Sequence, residues 1–156
     1  METRTIFFIG KPGCGKGTQA KMLAEYTGWS LFASGDLFRK IAQDDTSVGR
    51  KTKEVGEQGL LQPPWYAMYL YLDSLFSIPD GQNAIFDGFN RKIPEAELVI
   101  DSLTWLGRPF TILDVHISDE EVRRRLALRK EVEGRADDAV VDKRLDEYHT
   151  YTGPAI

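Results

Sequence analysis

The sequence is poor in the residues that build covalent or metal-bound scaffolds. Cys14 is its only cysteine, so no internal disulfide can form, which suits a reducing compartment, most simply the cytoplasm. The two histidines, His116 and His149, are too few and too isolated to suggest a metal site, and the cysteines of a zinc module are missing, so no zinc is expected. No apolar run approaches the ~20 residues of a membrane span, so no membrane partner is expected. The opening Met1-Glu2-Thr3-Arg4 lacks the layout of a signal peptide. There is no excess of positive charge either. Twenty Lys and Arg face 24 Asp and Glu, for a net charge of −4, which withholds global electrostatic support from nucleic-acid binding. An anionic ligand must therefore meet positive charge built locally, and the positions of individual arginines become informative. No internal repeat or low-complexity linker divides the 156 residues, and that length predicts one domain.

What the chain does have is concentrated in one stretch, Gly10-Lys-Pro-Gly-Cys-Gly-Lys-Gly-Thr-Gln19. It follows the apolar run Ile6–Ile9 and precedes a helical pattern. Strand, glycine-rich turn and helix form the arrangement that wraps a phosphate chain. The glycines allow close backbone approach, the helix beginning near Lys16 aims its positive end at the same place, and Lys16 adds a full charge. The strict pattern ends Gly-Lys-Ser/Thr; here Gly17 intervenes before Thr18.

Strands and helices alternate along the rest. Strands are predicted at Thr5–Ile9, Trp29–Ala33, Ala84–Phe86 and Phe110–Ile117. Gly28 reads as the cap ending the first helix, Ser34 or Asp36 as the cap opening the second, and Asp119 as the cap of a helix carrying Val122 and Leu126 inward. Asp44–Gly59 is polar and reads as a surface helix in a small lobe. A helix rich in Tyr, Leu and Met runs from Pro63-Pro64 to Phe76 and serves the core, and another runs from Pro94 to about Leu106. Glu131–Arg135 reads as a short loop, followed by a last helix over Asp138–Tyr151 that Pro154 ends. Such alternation implies a parallel sheet with helices on both faces, and ligands then bind beyond the carboxyl ends of the strands. The glycine-rich loop, Ser34 and the Asp87–Arg91 loop all follow strands and share that edge.

These motifs resemble the adenylate kinase family of nucleoside monophosphate kinases. Gly10–Thr18 matches its Gly-x-Pro-Gly-x-Gly-Lys-Gly-Thr, Gly17 included. Ser34-Gly-Asp-Leu-Phe-Arg39 resembles its Ser/Thr-Gly-Asp-x-x-Arg, and Asp87-Gly-Phe-Asn-Arg91 its Asp-Gly-Phe/Tyr-Pro-Arg. Arg125, Arg129, Arg135-Ala-Asp-Asp138 and Arg144 look like its lid arginines. The resemblance implies a P-loop three-layer α/β/α domain over 1–156, with a nucleotide-binding lobe near 34–72 and a short lid near 130–136. It implies ATP and a nucleoside monophosphate, most simply AMP, as partners, Mg²⁺ with the ATP, and a monomer. It implies an ATP site of Gly13, Cys14, Gly15, Lys16, Gly17, Thr18, Arg125 and Arg129. The monophosphate would meet Ser34, Arg39, Leu60, Leu61, Gln62, Gly88, Phe89, Asn90, Arg91, Glu95, Arg135 and Arg144. Lys16, Arg91, Arg135 and Arg144 would carry catalysis, and Asp87 would accept from waters around Mg²⁺. Cys14 is expected to react with thiol reagents and to be shielded by ATP.

The sequence departs from the family pattern in three places. Asn90 stands where the family has Pro, which frees the backbone before Arg91. Glu95 stands where adenylate kinases have Gln; an ionised carboxylate only accepts, so it suits guanine's two adjacent donors and mismatches adenine by about 1–3 kcal/mol if buried. Glu95 also reads as an ordinary first-turn Glu, with the base held by backbone groups at Leu60, Leu61 and Gln62. Finally, the family continues with one more strand and a helix where this chain ends at Ile156, so four strands and a donor site open on one side are expected. That departure keeps a nucleotide-binding protein with weak or no turnover as an alternative, beside a GMP-preferring kinase. A kinase of another small molecule, such as shikimate or gluconate, would lack Asp-Gly-Phe-x-Arg after the third strand.

Overall fold

The computed structural model describes residues 4–156. Four strands, β1 (Thr5–Gly10), β2 (Ser30–Ala33), β3 (Ala84–Asp87) and β4 (Phe110–Val115), form one parallel sheet in the order β2-β3-β1-β4. Between and after them run α1 (Lys16–Thr27), α2 (Ser34–Ile41), α3 (Ser47–Glu57), α4 (Pro64–Phe76), α5 (Ile93–Trp105), α6 (Asp119–Glu133) and α7 (Val141–Glu147). This is the expected doubly covered α/β fold. No helix among the described residues is long and apolar enough to cross a membrane.

The period-2 alternation of the strands sorts their side chains into two cores. Phe7 and Phe86 are register partners and face one way, into a cluster with Tyr66, Leu70 and Tyr71 of α4 and Val99 and Leu103 of α5. Phe86 is its hub, with ring centroids 5.0 Å from Phe7, 5.2 Å from Phe32, 5.3 Å from Tyr71 and 5.6 Å from Phe89. Ile6, Phe8 and Ile85 face the other way, against Ala20, Leu23 and Ala24 of α1. A third cluster joins Val122 and Leu126 of α6 to Leu145 of α7. The aromatic run of α4 serves the core as expected, although Trp65, Tyr69 and Phe76 remain exposed.

Helix ends follow local chemistry in some places and tertiary demands in others. Gly28 ends α1 in the left-handed region, its N–H donating to Ala24 O. Ser34 and Asp36 do not cap α2: its cap is Ala33, the Ser34 hydroxyl donates across the sheet to Gly88 O, and Asp36 pairs with Arg39. The cap of α6 is Ser118, whose hydroxyl accepts from Glu121 N–H, which frees Asp119 for Lys11. α6 runs to Glu133 and stops at left-handed Gly134, so most of the segment expected as a loop over 131–135 is helix. The last helix is not continuous. A 3-10 turn (Ala136–Ala139), α7, a π turn (Tyr148–Thr152) and a final turn (Gly153–Ala155) replace it, and Pro154 lies inside that turn instead of following it. β4 stops at Val115, two residues short of expectation, and as an edge strand it leaves Phe110, Ile112 and Leu113 partly exposed.

Candidate active site

The carboxyl ends of β1, β2 and β3 deliver three loops to one cleft of about 320 Å³. β1 passes directly into the glycine-rich turn, where Gly15 caps α1 with φ +96°, a conformation that side chains resist. Lys16 follows and lines the cleft, its Nζ 3.4 Å from Lys11 O. Burial holds the Lys16 ammonium below its ordinary pKa, and the positive charge of Arg91 adds to the effect. Such a charge calls for an anion, since nearby carboxylates do not compensate it fully.

The β2 and β3 loops lock onto each other. Ser34 Oγ donates to Gly88 O at 2.8 Å, and Arg91 donates to both Ser34 Oγ and Gly88 O. Gly88 is required here, because its φ is +75° and a Cβ would lie 2.6 Å from the Arg91 guanidinium. Phe89 is buried edge-on against Phe86 and ties the loop to the core. Asn90 is the only described non-glycine residue with positive φ, at +66°. Proline is fixed near −65°, so the family's Pro could not take this backbone. Asp87 ends β3 with Oδ1 buried and without a hydrogen-bond partner, and burial raises its pKa against the opposing charges of Lys16 and Arg91. It abuts the glycine-rich loop: a Cβ on Gly17 would sit 3.2 Å from its Oδ2.

The structure brings together in the cleft Lys16, Ser34, Arg39, Gly88, Phe89, Arg91, Glu95, Arg135 and Arg144, with Leu60, Leu61 and Gln62. Gly13, Cys14, Gly15, Gly17 and Thr18 build the loop and first helical turn outside the lining of that cleft. Asn90, Asp87, Arg125 and Arg129 are also outside it. Gly13 packs under Leu126, Thr18 is exposed, and Cys14 is buried at 3% exposure, so the reaction with thiol reagents expected of it requires the loop to open. Arg125 reaches over the loop to Cys14 O at 3.3 Å while pairing with Glu121. Of the backbone groups expected to meet the base, two N–H groups already have partners: Leu60 N–H donates to Val55 O, and Leu61 N–H to Glu147 at 3.0 Å.

Three acidic side chains of the site carry no signal in the sequence. Asp138, with no exposed side-chain surface, takes Arg129 in a two-point pair and Arg144 at 2.9 Å; Asp137 meets the same Arg144 nitrogen at 2.9 Å. Glu147 ties α7 to the chain between α3 and α4. In the Arg-Ala-Asp-Asp run the arginine matches a motif, whereas nothing local distinguishes its two acids from solvated surface carboxylates. Among the described residues no group of three or more His, Cys, Asp or Glu is placed to hold a metal ion.

Comparison with known proteins decides what this arrangement belongs to. The family model described as adenylate kinase matches residues 8–156. The adenylate kinase of Maricaulis maris is 35% identical over 154 residues, covering 97% of this chain and 82% of the relative. That of Bacteroides fragilis is 36% identical over 152 residues, covering 96% and 80%, and that of Thermus thermophilus is 34% identical over 156 residues, covering 98% and 81%. The chain belongs to the adenylate kinase family. It is a nucleoside monophosphate kinase, a transferase that binds nucleotides. Membership explains why a negatively charged chain gathers Lys16, Arg39, Arg91, Arg135 and Arg144 in one cleft: phosphates are what such a cleft neutralises.

Proposed function

We propose that the protein transfers the γ-phosphoryl group of ATP to AMP, giving two ADP. The observation that carries this reading is the convergence of Lys16 from the glycine-rich loop and four arginines from separate segments on one cleft. The adenylate kinases to which the chain is similar carry the same activity in their name. In the reaction the bond between the γ-phosphorus and the β–γ bridging oxygen breaks as a phosphate oxygen of AMP bonds to that phosphorus. The electron pair stays on the departing ADP.

Little covalent chemistry falls to the protein, so its work is positioning and charge. Lys16 and the N–H groups of the glycine-rich loop hold the donor's β and γ phosphates, with Arg125 and Arg129 toward the donor side. Arg39, Ser34 and Arg91 hold the acceptor phosphate. Arg135 and Arg144 bring charge to the transferring group. The polyphosphate supplies the counter-charge that Lys16 and Arg91 lack. The 34–72 lobe and the 130–136 segment close over the cleft and exclude water, which suppresses hydrolysis. Asp87 fits a Mg²⁺ held through water: its Oδ1 is buried, has no protein partner, and sits against Gly17 of the loop. When bound with ATP, Mg²⁺ supplies charge neutralisation on the phosphates. The protein acts on free nucleotides as a monomer.

The test is ADP formation with ATP, AMP and Mg²⁺ supplied together or singly. ADP appears only with both nucleotides, and Lys16→Ala lowers kcat by about a hundredfold or more. ATP binding without ADP formation would establish the binding protein without turnover instead.

A further inference from the structure

The cleft holds one carboxylate that phosphate chemistry does not use. Glu95, in the first turn of α5, is 5% exposed and lines the cleft. Its Oε2 accepts the Arg91 N–H at 2.8 Å, which fixes it on the acceptor loop. The nearest cations serve other partners. The Arg91 guanidinium donates to Gly88 O and Ser34, and the Lys92 ammonium lies 3.4 Å from Gln62 O and 4.9 Å from the Tyr151 ring centroid. Phe38, Leu60, Leu61 and Ala67 supply an apolar lining nearby. The other charged groups on this cleft are Lys16 of α1, Arg39 of α2, Lys53 and Glu57 of α3, Arg135 and Asp137 before α7, and Arg144 and Glu147 of α7. Burial is the strongest influence on Glu95 and raises its pKa; the Arg91 N–H, and the charges of Arg91 and Lys92, oppose it. A buried carboxylate in such a place must be met by a ligand's donors or by a proton.

Resting on the phosphotransferase reading, we propose that Glu95 reads the acceptor's base through its own protonation state, taking guanine when ionised and adenine when protonated. A carboxylate has about four acceptor sites; the backbone N–H groups of Arg91 and Lys92 draw on it, which leaves about two for a ligand. The ionised form accepts from guanine N1–H and its N2 amino group. The protonated form donates its O–H to adenine N1 and accepts from the N6 amino group, as a side-chain amide would. AMP then enters with one proton more than GMP, and the choice of acceptor depends on pH. Gly88, Ser34 and Arg91 hold the phosphate alike in both cases.

The experiment compares kcat/KM for AMP and GMP, with products separated by chromatography, across the pH range above the protonation of adenine N1 and below the loss of guanine N1–H. The phosphates of the two acceptors titrate alike, so their effect cancels in the ratio. The GMP-to-AMP ratio rises with pH by about ten- to a hundredfold in all, the worth of one or two mismatched bonds to a buried group. Glu95→Gln, which keeps an acceptor for Arg91 N–H, flattens the ratio and favours AMP throughout. Calorimetry of the unaltered protein in buffers of different ionisation enthalpy shows more proton uptake with AMP than with GMP. Transfer to both nucleotides at a pH-invariant ratio, equal proton uptake, or the same pH dependence in Glu95→Gln overturns the assignment and leaves the phosphotransferase standing. No transfer to either nucleotide overturns both.

Discussion

At the scale of single residues, the site depends on acids as much as on arginines. Asp138 has no exposed side-chain surface and joins Arg129 of α6 to Arg144 of α7. Removing one member of a buried pair costs about 3–5 kcal/mol, because the remaining charge stays buried. Asp138→Ala therefore destabilises by about 3 kcal/mol in urea unfolding, and Asp138→Asn by less, since the amide oxygen still accepts. A loss under about 0.5 kcal/mol for the alanine variant would place the pair among ordinary surface contacts. Cys14 gives a second outcome at this scale. At 3% exposure, with its N–H donating to Lys11 O, it is modified slowly by thiol reagents in the native protein and rapidly in denaturant. Fast labelling of the native protein would mean that the loop opens.

Among the elements, the Asp87–Arg91 loop shows what a sequence reveals and what it conceals. Its type and place were legible, because a strand followed by Asp-Gly-Phe-x-Arg is a local pattern. The bonds that lock Ser34 to Gly88 and Arg91 span 54 and 57 positions, so no spacing rule exposes them. Ser34 looked like a helix cap for the same reason: in sequence, a serine before a helix gives no sign of a partner across the sheet. The same blindness made 138–151 one helix, where burying Asp138 against two arginines breaks the chain at Val140. The Asn90 backbone tests the local account directly. With φ at +66°, Asn90→Pro conflicts with the ring's fixed φ and costs more than about 1 kcal/mol, and it raises KM for the acceptor by displacing Arg91. Asn90→Gly keeps stability and KM close to the parent's. A proline variant as stable and as active as the parent would mean that this loop is not held in the conformation described.

For the whole molecule, a parallel sheet with helices on both faces was readable from strand–helix alternation, and the resemblance implied the P-loop α/β/α architecture; neither needed much correction. What the sequence hid was how closely the stretch between α3 and α4 approaches α7 and the turn before it. Leu61 N–H reaches Glu147, and a Cβ on Gly59 would sit 2.7 Å from Val140 Cγ2. A ligand filling donor and acceptor sites together bridges these parts. At a hundred times its Kd, a dinucleotide pentaphosphate adds about 2.7 kcal/mol of stability, so Tm rises by about 5–10 °C. At the same concentration Arg91→Ala shows a smaller rise, because the acceptor end loses a cation. An equal rise in the variant would place the compound outside the proposed acceptor site.

The most direct test of the central claim follows the γ-phosphoryl group itself. With γ-labelled ATP, Mg²⁺ and AMP, the label appears in ADP, one labelled ADP for each ATP consumed, and little reaches inorganic phosphate. Label released as inorganic phosphate, or retained in ATP whether or not AMP is present, would contradict transfer between two nucleotides in this cleft.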